Sequence, residues 1–306
     1  MTPETRFLHP GDAAFPARLL ELAKPPVRLA VAGEMTAAPT FAVVGTRKPT
    51  VDSFAFARDL ARAVVEHGGI VASGGAVGID AAAHEGALEA GGVTWVVAAT
   101  GRDEVFPREN APLFERVLER GGVMIWPFED GKKADPRTFF ARNGVLVALA
   151  DAVVIVQAGV PSGTLNAARW ARRLGRPVWA ICAPPWVPGF LGCASVVELG
   201  ARPLVSLGGW LRAVGLAPRR RSNATRTSTS TSTSTSTSTS TPTLNLGPEE
   251  LAILETLSLT KAQHVDEIAA KSGLSAQGVA TALLTLALED VLVESPEGQF
   301  RLASTR

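Results

Sequence analysis

Cysteine is nearly absent. Cys182 and Cys193 are the two in 306 residues, too few for a disulfide framework and without the second Cys/His pair that a zinc site needs. This scarcity fits a reducing compartment, and a cytoplasmic location is expected. The first residues lack the basic stretch and apolar core of a secretory signal. No apolar run is long enough to cross a bilayer. The most apolar, 145–160, is cut by Asp151 and Gln157 and reads as the end of a helix followed by a buried strand. A dominant charge is missing too: the net charge of +1 argues against indiscriminate coating of nucleic acid. With 46% hydrophobic and 19% charged residues, the chain is neither disordered nor fibrous, and its length suits one large α/β domain and a smaller one.

The charge that is present is unevenly spread. Residues 161–226 carry ten arginines (169, 172, 173, 176, 202, 212, 219, 220, 221 and 226) against one acid, Glu198, whereas 227–306 carry four basic and nine acidic residues. The basic block is either a phosphate-contacting surface or a solvated helix face with a basic linker. Within it begins a second irregularity, a strict Thr/Ser alternation over 227–241 between Pro218 and Pro242, with no apolar residue to anchor it. We read 217–246 as a flexible linker between a body, 1–216, and a small module, 247–306.

In the body, short Val/Ile/Ala runs alternate with amphipathic stretches. Strands are predicted at 41–44, 70–72, 94–98, 123–125, 153–156 and 178–181, and helices near 53–67, 79–89, 112–119, 137–150 and 163–174. The pattern is an α/β, doubly wound parallel sheet, whose ligands bind beyond the carboxyl ends of the strands. The small module reads as three helices (248–257, 265–272, 275–288) with a turn at Gly273-Leu274-Ser275, then a hairpin over 291–302 about Glu297-Gly298. This is a winged helix-turn-helix pattern. Its recognition-helix position, 275–289, has no Lys or Arg, which favours a regulatory or protein-binding role over duplex reading.

Loops after the strands hold the candidate site. Gly45-Thr46-Arg47-Lys48 offers close backbone approach, a hydroxyl and two cations, which suits a phosphate. Ser73-Gly74-Gly75-Ala76-Val77-Gly78-Ile79-Asp80 is a glycine-rich loop opening a helix, where backbone N–H groups would attract an anion. It matches neither the P-loop nor G-x-G-x-x-G, so neither NTP hydrolysis nor dinucleotide redox chemistry follows. Asp80 and His84, four apart, are placed to pair, in a structural role at the base of the loop. The turn 100–110 reads mainly as scaffold. Arg137, Phe139, Phe140, Arg142 and Asn143 are material for stacking a base while neutralising its phosphate, with one Phe expected in the core. Ser162-Gly163-Thr164 caps the next helix and gives a third anion site.

The series as a whole resembles the DprA/Smf family of DNA-processing proteins. It runs from His9-Pro10-Gly11-Asp12 and Phe15-Pro16 through Gly45-Thr46-Arg47, the 73–80 loop, Ala83-His84-Glu85-Gly86, Phe106-Pro107, Asn110 and Phe139 to Ser162-Gly163-Thr164-Leu165. The resemblance implies a Rossmann-like, non-enzymatic homodimer without cofactor that binds single-stranded DNA and loads a RecA-type recombinase during natural transformation. Arg47 would grip a phosphate, 73–78 would line the same groove, and Phe139, Arg142 and Asn143 would contact bases and phosphates. This chain departs from the family at Gly144, where a cation is usual and whose absence would weaken the groove. It also departs at Trp126-Pro127, at Gln157-Ala158 in place of Glu-Ala, and at Ala183-Pro184-Pro185. Two other readings stand beside it. One is a nucleotide sensor using the same anion sites. The other is a phosphoribohydrolase-like enzyme, which lacks an acid near Pro161-Ser162-Gly163-Thr164 to act as base.

Overall fold

Six strands of four or five residues, almost wholly apolar, and a three-residue edge strand form the parallel part of a nine-stranded sheet. Continuous apolar composition is what a strand needs when both its faces are covered. The computed structural model describes residues 3–160, 162–184, 186–216, 248–258, 262–275, 278–279, 281–283, 286, 292–294 and 299–302. The Thr/Ser tract read as a linker and the Glu297-Gly298 turn lie outside the described residues. Two units are distinguished, 1–224 and 225–306.

In the first unit the strands are β1 (Thr5–Leu8), β2 (Leu29–Ala32), β3 (Thr40–Val44), β4 (Ile70–Ser73), β5 (Thr94–Val97), β6 (Val123–Trp126), β7 (Ala152–Ile155), β8 (Val178–Ile181) and β9 (Arg202–Leu204). Their order is β1-β2-β6-β5-β4-β3-β7-β8-β9. From β6 to β9 every pairing is parallel, while β2 runs antiparallel to both β6 and β1. The helices are α1 (Val51–Glu66), α2 (Ile79–Glu89), α3 (Ala111–Glu119), α4 (Pro136–Leu149), α5 (Thr164–Arg173), α6 (Leu191–Glu198) and α7 (Leu207–Ala213).

Alternation along the strands decides which helix covers which face. Ala42, Val44, Ala72 and Val97 pack with residues of α4, α5 and α6. Their neighbours Phe41, Val43 and Val71 face α1, α2 and α7, and α3 covers Ala30, Val96 and Met124. Helix starts are chemically marked. Thr50 accepts from Ser53 N at the start of α1, and Asp135 and Thr138 form a reciprocal capping box ahead of Pro136 in α4. The chain works outward from β3 to β4, β5 and β6, then crosses back to place β7 on the other side of β3. The ends of β3 and β7 therefore flank the topological switch point of the sheet.

The second unit comprises α8 (Pro248–Thr256), α9 (Val265–Ser272) and an antiparallel sheet of β10 (Gln263–His264), β12 (Gln299–Leu302) and β11 (Leu292–Glu294), in that spatial order. Of the third expected helix, 278–279, 281–283 and 286 are helical and the remainder lies outside the described residues. Ile253, Ile268, Val279, Leu283, Leu286 and Leu292 form its core. Gly273, at φ +69°, ends α9 in the left-handed region where a side chain would be strained. This is the winged-helix arrangement expected.

Candidate functional site

Three loops meet at the carboxyl ends of the adjacent strands β4, β3 and β7, and a buried amide holds two of them in register. Gln157 accepts from Thr46 N at its carbonyl (2.8 Å) and from Thr50 N at Oε1 (2.9 Å). The β3 loop in turn accepts from Ile79 N at Thr46 O (3.2 Å), so it lies directly on the start of α2. Gly78, at φ +88°, makes this possible, because a Cβ there would come within 2.5 Å of Thr46 O. Gly45 backs onto the Ile79 side chain in the same seam.

Two donors of the glycine-rich loop are turned to an anion of the protein's own. The Asp80 carboxylate accepts from Gly74 N (3.1 Å) and sits 3.4 Å from Ala76 N, so the anion in this nest belongs to the protein. Ser73 is buried and donates from Oγ to Val43 O (2.6 Å), tying β4 to β3. Gly75 O accepts from Asn110 Nδ2 (2.9 Å). These contacts make the buried Ser73, Gly74 and Gly75 scaffold, whereas Ala76, Val77 and Gly78 of the same loop are half-buried. Asp80 and His84 do not pair. The His84 Nδ1 lies 2.8 Å from Thr94 Oγ1, which itself donates to Val71 O, so the imidazole donates to the threonine. Burial lowers the His84 pKa to about 3, and the Arg142 charge adds to the effect. The ring is neutral at pH 7.

Arg142 requires a second correction. It is buried at 5% exposure, donates from Nη1 to Val97 O (3.0 Å) and lies so close to Gly74 that a Cβ there would be 1.5 Å from its Nη1. Burial pulls its pKa down, Asp80 opposes that, and Arg47 reinforces it. Burial in turn pushes the Asp80 carboxyl up, against the Arg142 charge and the two loop N–H groups. Arg142 is thus an internal counter-charge and not a surface phosphate ligand. Gly144, read as a cation missing from the groove, also faces inward. Its Cβ position is 2.9 Å from the Trp170 indole, so the position belongs to the α4–α5 interface.

Above this buried layer lies an exposed one. The Arg47 guanidinium sits over the Phe139 ring at 4.8 Å, Arg142 approaches the same ring at 6.0 Å, and Phe106 meets it edge-on at 5.7 Å and 65°. Arg47 and Lys48 are exposed and form no ion pair among the described residues. Phe139 is half-buried and Phe140 is 49% exposed, so neither is the core residue expected. Asn143 Nδ2 reaches Gly163 O at 3.5 Å, and Ser162 Oγ accepts from Thr164 N (3.1 Å), which satisfies the start of α5 from within. Gly163 is exposed and Thr164 buried. Arg137 is exposed on the first turn of α4, with no ring or ion-pair contact to the cluster.

The structure therefore brings Arg47, Lys48, Phe139, Asn143, Ser162 and Gly163 to one rim and holds Ser73, Gly74, Gly75, Asp80, His84 and Arg142 beneath it. Sequence reasoning placed Phe106 in a scaffold turn and treated Gln157 only as a departure. Both follow a strand directly or by one loop at the sheet's carboxyl edge, and that position was the available signal. Of the basic block, Arg169, Arg172 and Arg173 are exposed on α5, while Arg176 pairs with Glu21 at 2.8 Å. Among the described residues, no group of three His, Cys, Asp or Glu could hold a metal and no helix is long and apolar enough to cross a membrane.

Comparison with known proteins gives this geometry a context. Residues 6–214 match the family described as DNA recombination-mediator protein A, and 237–298 match the DprA winged helix domain. The chain is 32% identical over 219 residues to Protein Smf of Synechocystis, covering 70% of this chain and 55% of that protein. To the DNA processing protein DprA of Bacillus subtilis it is 29% identical, covering 63% and 65%. The chain thus spans between half and two-thirds of the length of these curated relatives. Among solved structures, DprA of Streptococcus pneumoniae aligns with a TM-score of 0.63 at 28% identity, over 69% of this chain and 74% of that one. DNA processing protein A of Helicobacter pylori, studied for its single-stranded DNA binding mode, aligns with a TM-score of 0.62 at 26% identity, over 69% and 96%.

Proposed function

The chain belongs to the DprA/Smf family of DNA-processing proteins, and from that premise we propose that it binds single-stranded DNA along the rim formed by Arg47, Lys48, Phe139 and Asn143. The observation that carries this reading is the Arg47–Phe139 stack. It sets an exposed cation, without an acidic partner among the described residues, against a half-buried ring beside the switch point of the sheet. Sequence-tolerant strand binding needs this combination, since a cation takes the phosphate and an aromatic face takes any base. Asn143 and the Ser162-Gly163 turn extend the polar rim toward β7. The relative from Helicobacter pylori, whose study concerns single-stranded DNA, supports the same reading.

Within it the protein acts by binding and catalyses no reaction. It works as a cytoplasmic homodimer that delivers the strand to a RecA-type recombinase in natural transformation, and the acidic winged-helix module serves a partner other than duplex DNA. A mononucleotide sensor is the weaker reading because the glycine loop already holds the Asp80 carboxylate.

Fluorescence anisotropy of a labelled oligo(dT) at two salt concentrations tests the proposal. We expect salt-sensitive binding that weakens at least tenfold in Arg47→Ala and is untouched by excess AMP. Displacement by AMP, or no binding by the wild type, would overturn it.

A further inference from the structure

We propose that Trp186 is a second base-stacking platform, which carries the single-stranded path from the end of β3 past β7 to the end of β8. The inference rests on the strand-binding reading above and goes beyond it, to a residue outside the motifs that carry the family resemblance. Six tryptophans are present. Trp95, Trp126, Trp179 and Trp210 are at most 9% exposed, and Trp170 is half-buried with its Nε1 donating to Phe140 O. Trp186 is 80% exposed. A large aromatic held in water at that level contributes nothing to the core.

Its setting explains what it is for. The turn after β8 closes by Val187 N donating to Pro184 O (2.9 Å) and is seated on the residue that organises the Arg47 loop. A Cβ at Gly189 would lie 2.7 Å from Gln157 Nε2, and Gly192 N donates to Ala158 O (2.8 Å). Gln157 thus has the Arg47 loop bonded to it and the Trp186 turn packed against it. The ends of β3 and β8 are two strand spacings apart, about 10 Å, which matches about three nucleotides of a strand rising about 3.4 Å each. No Asp or Glu occurs between Asp151 and Glu198, so this stretch adds no repulsion of phosphates. The bases of the strand already on Arg47 are therefore the occupant that fits Trp186. A second copy of the chain is the other candidate, and the test separates the two.

The experiment uses the full chain and oligo(dT) about twenty nucleotides long. Trp186→Ala should bind about tenfold more weakly, and Trp186→Phe within about twofold of the wild type, because a ring still stacks. The oligonucleotide-dependent quenching of intrinsic fluorescence should shrink in Trp186→Phe although its affinity is kept. Unchanged affinity in Trp186→Ala overturns the proposal while leaving the Arg47 reading intact. So does a shift in its sedimentation coefficient without loss of DNA affinity, which would assign the residue to contact between copies. If the wild type binds no oligonucleotide, the reading of the rim falls first and this one with it.

Discussion

The two layers of the carboxyl-terminal edge use the same residue types for opposite ends. Below, Arg142 and Asp80 are buried, and their hydrogen bonds run to Val97 O and to the loop N–H groups. Above, Arg47 has no acidic partner among the described residues and lies on a ring. An arginine at such a site is defined by what neutralises it. One buried beside a carboxylate sets the shape of the rim, and one exposed at the surface is available to a ligand.

Removing the lower layer should have the largest effect. Arg142→Ala leaves a cavity, an unsatisfied Val97 carbonyl and a buried Asp80 without its compensating charge. We expect a loss of about 3 kcal/mol or more in the stability of the body, measured by urea unfolding. A loss below about 1 kcal/mol would show the layer is not structural.

Acid should act on the same layer. His84 has its pKa lowered from 6.5 to about 3 in the folded protein. The unfolded chain therefore binds more protons between those values, and the His84 contribution, complete above pH 6.5, is lost as the pH falls. It amounts to about 2 kcal/mol between pH 6.5 and 5. Asp80, raised by burial, acts with the opposite sign, stabilising toward acid. Comparing wild type with His84→Gln removes that common part: the variant should show the flatter stability profile over this interval, and parallel profiles would refute the assignment.

The upper layer should behave in the reverse manner. Arg47→Ala is expected to leave stability within about 0.5 kcal/mol while weakening strand binding at least tenfold, about 1.4 kcal/mol or more, with the slope of log affinity against log salt reduced by about 0.7. Loss of stability matching Arg142→Ala would erase the distinction between layers. The smallest effect is expected for Lys48→Ala, a two- to threefold loss of affinity with a similar reduction in salt slope, read by the same titration.

β3 to β8 and the helices α1 to α5 were legible because a strand covered on both faces needs an unbroken apolar run, whereas α6 and α7 went unread. β1 and β2 were not legible. Thr5–Leu8 is half exposed, and Leu29–Ala32 is held antiparallel between β1 and β6, the latter some ninety residues on. β9 contains Pro203, which an edge position tolerates but a sequence pattern hides. In the site, Arg47 and Phe139 were legible from their place after a strand and beside a basic cluster. Arg142 was misread as a surface cation because its burial depends on Gly74 and Asp80, distant in sequence and joined only by the fold. Asp80 and His84 share a helix spacing, but the partner that fixes His84 is Thr94 on the next strand.

On the strand-binding reading, a rim whose loops carry their own anion and are tied through a neutral amide has its geometry before any strand arrives. Binding then has no ordering step to wait for, so the association rate should follow encounter and electrostatic steering alone. Differences among sequences bound at this edge should appear in how long each complex lasts.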